Sequence, residues 1–427
     1  MKIASYTIPS IPKKFNPEQL FMVTILFVNG GNYLYNLLLG RILGPAEFSD
    51  AAILITFLLI LSFVGMTFQI VSAKYAVLFD EIKLYIFTRM ITKYALLMGF
   101  VTGVAIVFFN QELQNIFHTK TASMFMIFGF GIPFYFIMSI NRGLYQGKNM
   151  MNKLAFTYQT EMASRLLLTI TAVLVLPIVP PSIIVAIGIM VSFIFGLIPF
   201  QKKIITSVKI SKSLESPYDL IDKKGIAIFF MLTAFYELTQ IIINNSDIIL
   251  VKHYFNNEQA GLYASLALIG RVVYFVAWMF VMLLLPKVIQ LKKEGQETQP
   301  ILMKYVAYIA ILSTIIVLVT FIFPETVVHL MFGKAYLPIA FLLWKYALVT
   351  SIFAIANIFA YYFLSINEYI PVVVSAIIGL TQIVLIVLFH NSLQQVVEMQ
   401  LIAMVALLFF QLLFFFYHNK KNVRLNK

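Results

Sequence analysis

Ala51-Ala-Ile-Leu-Ile-Thr-Phe-Leu-Leu-Ile-Leu-Ser-Phe-Val-Gly-Met66 contains no charged residue, and none follows until Lys74. A run of this length matches the roughly 20 apolar residues that carry an α-helix across a ~30 Å hydrocarbon core. Working outward, comparable blocks lie near 19–43, 49–72, 91–110, 123–141, 154–177, 182–200, 225–251, 260–286, 302–324, 338–364, 369–390 and 395–417. Within hydrocarbon the backbone must satisfy its own hydrogen bonds, so only helices or a closed barrel can span. Barrel strands would be about 10 residues long and alternate apolar with polar, which these blocks do not. The expected class is an all-α, polytopic membrane protein with about twelve transmembrane helices.

Composition agrees. The 427 residues are 61% hydrophobic and 11% charged, with a mean hydropathy of +0.91, too little polar surface for a water-soluble domain. The net charge of +13 resides mostly in short segments between the blocks. It therefore reads as the positive-inside bias of a membrane protein, with anionic lipids rather than nucleic acid as its partners. With no cysteine, disulfide and thiolate chemistry are absent. The polar stretch Met1–Glu18 has no short apolar core followed by a cleavage site, so the first block is expected to remain as a spanning helix.

If the N-terminus is cytoplasmic, the inner segments hold Lys202, Lys203, Lys209, Lys212, Lys223 and Lys224, and Lys420, Lys421, Arg424 and Lys427 among others. The outer segments hold only Arg41, Lys120, Lys252 and Lys334. Both termini are then expected in the cytoplasm. The break at Asn367–Glu368 has no basic residue to support it. Gln201–Lys224 is the longest polar stretch and reads as a cytoplasmic linker. It divides an N-terminal six-helix lobe (1–200) from a C-terminal one (225–427). The halves echo one another: Asn36–Arg41 closes block one and Asp247–Lys252 closes block seven, each followed by a short turn. Paired repeats with a substrate site between them are a common transporter plan.

Leu39-Gly-Arg-Ile-Leu-Gly-Pro-Ala-Glu-Phe48 resembles the first outer turn of the polysaccharide transporters. These are the Wzx-type lipid-linked oligosaccharide flippases of the multidrug/oligosaccharidyl-lipid/polysaccharide (MOP) exporter superfamily. Leu144–Lys148, Ala260–Ala264 and Met331–Tyr336 resemble later turns of that family in the same order. Where the family commonly has Gly-Xaa-Tyr after the first turn, this chain has Ser49, Asp50 and Ala51. The resemblance implies a two-lobed, twelve-helix, MATE-like fold. It also implies a cationic cavity and an anionic polyprenyl-linked glycan as substrate, with a glycan polymerase and other export-pathway proteins as partners.

Ionised groups inside a bilayer need a partner, a wet cavity or a route to the interface. Arg271 has two readings: a cavity cation whose planar fork meets diphosphate oxygens, or a buried partner of Glu237. Arg165 has Glu161 one helical turn earlier and divides between the same two roles. Lys345, beside Trp344, can snorkel to the interface. Arg41 and Lys252 are placed at the outer mouth, as solvated helix ends or as contacts for a departing anion, and Arg142 and Lys148 at the inner surface, among lipid headgroups or recruiting an anionic substrate. Asn29-Gly-Gly-Asn32 is a possible bend facing the cavity, or a site of close helix packing. Glu237 and Asp247 are candidates for coupling to a proton or cation, and Pro133 for a kink. The five histidines form no metal set, and no Gly-rich phosphate loop is present, so no metal or other cofactor is expected. Three rivals stay open: a multidrug or cation exporter of the same fold, an integral-membrane glycan polymerase or glycosyltransferase, and a scaffold in a glycan-export complex.

Overall fold

The computed structural model describes residues 17–199 and 221–425, apart from scattered positions between 275 and 293 and residues 367 and 369. Most of the proposed linker, 201–220, lies outside the described residues.

Helix α1 (Pro17–Leu78, 62 residues) holds the first two apolar blocks. Its single non-helical residue is Gly44, with φ 74° and ψ 172°. That left-handed value costs glycine nothing because it lacks a Cβ. Pro45, which has no N–H to lose, starts the second limb where first-turn donors go unpaired anyway. The chain thus forms two limbs that meet at Gly44. Helix α2 (Glu81–Phe108) begins where Asp80 accepts the Lys83 N–H at 2.9 Å, an ordinary N-cap. There follow α3 (Asn110–Phe117), α4 (Ser123–Gly147), α5 (Met151–Val175) and α6 (Pro181–Gly196).

The second half opens with α7 (Lys223–Tyr254), capped by Asp222, and α8 (Asn257–Gly270), capped by Asn256 through Gln259 N–H at 2.8 Å. Described positions from 272 to 292 are also helical. Then come α9 (Gln299–Ile322), α10 (Pro324–Met331), a 3-10 segment (Lys334–Leu342), α11 (Leu343–Ser365), α12 (Ile370–Leu388) and α13 (Leu393–Leu425).

Each apolar block lies mainly in helix among the described residues. Among the described residues, seven helices are long and apolar enough to cross a membrane, or eight if the bent α7 counts as one. The difference from twelve has local causes: α1 contains two blocks, α6 is short, α5 is interrupted by Glu161 and Arg165, and block eight crosses undescribed positions.

In the first half α4 lies against α1, α2 and α6, and α5 lies against α6 and α1. Edge-to-face contacts of Phe57 with Phe117, Phe125 and Phe128 fill that core. In the second half α11 packs between α9 and α13, and α12 packs on α13 and α7. Helix α1 also runs along α7 and α8, forming a seam between the halves. Outside, Phe100, Phe108, Ile178, Phe321 and Phe416 are exposed, the apolar exterior that hydrocarbon rather than water solvates.

Candidate functional site

Among the described residues, three groups of charged side chains are buried in this bundle. The first lies in the second half. Arg271 follows the last residue of α8, and its backbone N–H still bonds Ala267 C=O at 3.0 Å. Its guanidinium donates from Nη2 to Asp247 Oδ1 at 2.8 Å, from Nη1 to Asn245 Oδ1 at 3.3 Å and from Nε to Tyr346 OH at 3.2 Å. Tyr346 OH donates in turn to Asp247 Oδ2 at 2.7 Å, and Tyr263 OH to the same oxygen at 3.2 Å. Gln400 Nε2 donates to Tyr263 OH at 3.0 Å. Asp247 is therefore surrounded by donors, and charge balances within the group. Asp247, not Glu237, is the partner of Arg271. Glu237 is half-buried on α7 and has no ion-pair partner among the described residues.

The second group lies in the first half. Glu161 on α5 receives Arg165 from one turn along the same helix, as the spacing predicts, and also Arg142 from α4 at 2.6 Å. Arg142 further donates to Thr157 Oγ1 at 3.1 Å and Thr157 C=O at 3.0 Å, and stacks on the Tyr158 ring at 3.8 Å. Arg165 Nε donates to Ser192 Oγ at 3.2 Å. Two guanidinium groups thus share one carboxylate, leaving a positive charge that no carboxylate among the described residues balances. The placing of Arg142 among lipid headgroups is corrected: it is 5% exposed. Its partner Glu161 lies on the next helix, a pairing that tertiary packing alone creates.

The third group closes the seam at its Gly44 end. Lys252 Nζ on α7 bonds Asp50 Oδ1 on α1 at 2.7 Å, Ser49 Oγ at 2.8 Å and Asn257 Oδ1 at 2.6 Å. Asp50 Oδ2 also accepts the Lys120 N–H at 3.0 Å. The Lys252 and Asp50 side chains are 2% and 0% exposed, which corrects the reading of Lys252 as a solvated mouth residue. Beside the pair, Gly261 abuts the Pro45 carbonyl so closely that a Cβ there would lie 1.7 Å from its oxygen. Tyr336 OH donates to Gly40 C=O at 2.7 Å, His253 Nδ1 to Ile116 C=O at 2.7 Å and Arg41 Nη1 to Leu330 C=O at 3.2 Å. Phe48 meets Phe332 and Tyr336 at ring separations of 5.9 and 6.4 Å. The halves are shut together at this end.

The remaining expected residues lie apart from these groups. Lys345 pairs with Glu398 of α13 at 2.9 Å, partly exposed. Asn29-Gly-Gly-Asn32 does not unwind, since α1 is helical there and breaks only at Gly44. A Cβ on Gly31 would lie 2.3 Å from Met162 Sδ, so close packing of α1 on α5 accounts for that glycine. Asn29 is exposed and Asn32 half-buried. Sequence reasoning missed Asp50, Tyr263, Tyr346 and Gln400 as members of charged networks. Asp50 did leave a signal, because it falls where the chain departs from the polysaccharide transporters' usual first turn.

The bundle has the fold of solved MATE transporters. The chain matches an inward-facing multidrug resistance MATE family transporter of the MOP superfamily with a TM-score of 0.74 and 9% identity, over 94% of this chain and 99% of the other. It matches the lipid II flippase MurJ in an inward closed conformation at 0.71 and 16% identity, over 92% and 87%. It also matches MATE in the bent conformation at 0.60 and 11% identity, over 96% and 98%. Residues 38–341 match the family described as polysaccharide biosynthesis protein, and the chain belongs to that family. No curated protein matches it in sequence. The resemblance carried by Leu39–Phe48 and the later turns is borne out.

Proposed function

We propose that the protein is a flippase that moves a polyprenyl-diphosphate-linked oligosaccharide from the cytoplasmic to the outer leaflet of a bacterial inner membrane, for surface polysaccharide synthesis. The observation that carries this reading is the pair of guanidinium groups, Arg142 and Arg165, sharing the single carboxylate of Glu161 inside apolar helices. An unbalanced charge at such a depth is costly unless an anion visits it, and diphosphate oxygens suit guanidinium forks. The surplus is of the wrong sign for a cationic drug. Family membership supports a role in polysaccharide synthesis, and the likeness to a lipid II flippase supports lipid-linked cargo.

Transport proceeds by alternating access. The halves 1–200 and 225–427 rock about the seam, joined by the cytoplasmic linker 201–224. The lysine-rich segments support cytoplasmic termini, and on that reading the Gly44 end is the outer one. The arrangement described is then the outward-closed state, and opening splits Lys252 from Asp50. Arg271, Arg165 and Arg142 meet the diphosphate, with Asn29 and Asn32 on the cavity path and Arg41 and Lys345 near its outer exit. Asp247 is committed to Arg271, so Glu237 is the better coupling candidate for a proton or cation. A glycan polymerase receives the product.

A glycan-display assay in the native host tests the proposal, comparing deletion, wild type and normally inserted Arg165→Ala and Arg271→Ala variants. The expected result is lipid-linked oligosaccharide trapped on the cytoplasmic side in the deletion strain, without rescue by either variant. Oligosaccharide that still crosses but accumulates unpolymerised outside would overturn the flippase reading in favour of a polymerase.

A further inference from the structure

A slot of about 190 Å3 lies on the seam between the second limb of α1, α7 and α12. Ile60, Ile242, Ile249 and Ile383 line it, together with Asn245 and Ser246. The two polar residues use their side chains elsewhere. Asn245 Oδ1 accepts Arg271 Nη1 at 3.3 Å and its amide donates to Ile241 C=O at 3.1 Å, while Ser246 Oγ accepts Gln382 Nε2 at 3.2 Å. The slot therefore presents hydrocarbon. Ile242 precedes the end of α7 by twelve residues, about 18 Å at ~1.5 Å per residue, near the middle of a ~30 Å core.

One side chain, Asn245, separates this apolar space from the Arg271 guanidinium. Asn245 lines the slot and bonds Arg271, so an amphiphile with its phosphates at Arg271 has apolar space for the start of its hydrocarbon here. For scale, an engineered apolar cavity of about 150 Å3 in another protein holds a benzene molecule, so the slot admits roughly one or two isoprene units. We infer that it seats the isoprene units adjoining the diphosphate of the transported lipid, an inference that rests on the flippase reading above. Bilayer hydrocarbon is as apolar as the slot, so burial there adds little affinity. What the slot fixes is the point where the chain leaves the headgroup, letting the tail stay in the membrane while the headgroup enters the protein.

The test is photolabelling of the full-length protein in phosphatidylethanolamine–phosphatidylglycerol vesicles. The probe is undecaprenyl diphosphate with a diazirine in its second isoprene unit, and a phosphatidylethanolamine with a diazirine-bearing acyl chain runs in parallel. Expected are polyprenyl adducts on residues 238–250, reduced about tenfold by unlabelled undecaprenyl diphosphate and to a similar extent by Ile242→Trp at equal membrane level. Competed, Arg271-dependent adducts that map elsewhere would remove the slot and leave the flippase reading standing. Phosphatidylethanolamine adducts at 238–250 that undecaprenyl diphosphate does not displace would make it a seam filled by ordinary lipid, overturning the inference. No competed labelling anywhere on the wild type would defeat the flippase reading and the slot together.

Discussion

Lys252 and Asp50 form an ion pair at 2.7 Å that joins α7 to α1, with both side chains withdrawn from solvent. They lie some two hundred residues apart in sequence. They are the buried ion pair among the contacts that close this end of the seam. Removing one member of a buried pair strands the other, which typically costs ~3–5 kcal/mol, whereas replacing both with apolar residues costs much less.

Asp50→Asn and Lys252→Met are therefore each expected to lower the thermal unfolding midpoint of the purified protein in detergent. The double variant Asp50→Leu/Lys252→Met should recover part of that loss. Strictly additive losses in the double variant would show that the pair is not coupled.

Gly261→Ala should loosen the same end, because its new Cβ would collide with the Pro45 carbonyl, a backbone atom that no rotamer change can move aside. The chain has no native cysteine, so a single Ser49→Cys reporter can be read cleanly. Labelling by a membrane-impermeant maleimide is expected to rise about tenfold in the Gly261→Ala background, corresponding to a shift of ~1.4 kcal/mol between closed and open states. Unchanged labelling would mean that the seam gives way elsewhere.

Arg271→Lys should behave much like Arg271→Ala in glycan display. The guanidinium places three donors on three separate acceptors, Tyr346, Asn245 and Asp247, and an ammonium tip cannot span them. Tyr346→Phe is expected to cost about 1–3 kcal/mol of stability, since Asp247 and Arg271 each lose one partner. Normal display with Arg271→Lys would reduce Arg271 to a simple counter-charge.

Glu161→Gln leaves Arg142 and Arg165 adjacent with no carboxylate between them, and is expected to destabilise the first half by ~3–5 kcal/mol. Thr157→Val removes a hydroxyl that accepts from Arg142 and donates to Leu154 C=O, leaves Glu161 in place, and should cost less, about 1–2 kcal/mol. Thermal unfolding of both variants checks the ranking, and equal midpoints would contradict it.

The spanning blocks were legible because hydrocarbon forces each one to be helical, so length and apolarity suffice. The pairing of Arg165 with Glu161 was legible for a similar reason: four residues on one helix is local geometry. The partner of Arg271 was not. Counting depth from the turn at Phe255 puts Arg271 nearer Glu237 than Asp247. Helical side chains, however, lean toward their own N-terminus. In this antiparallel pair Arg271 therefore reaches back toward the turn, while Asp247 leans away from it, and the two meet. Lys252 and Arg142 looked solvated for a different reason, because their carboxylates arrive from other helices.

The orientation of the seam has an electrical consequence. Moving a unit charge across a membrane potential of 100 mV involves about 2.3 kcal/mol, but only the component along the bilayer normal counts. Lys252 and Asp50 sit on helices lying side by side, and parting those helices carries each charge sideways, along an equipotential. Breaking this contact is thus electrically silent, and any dependence of turnover on membrane voltage is expected to originate in the charge of the cargo, in a coupled ion or in the surplus charge of Arg142 and Arg165.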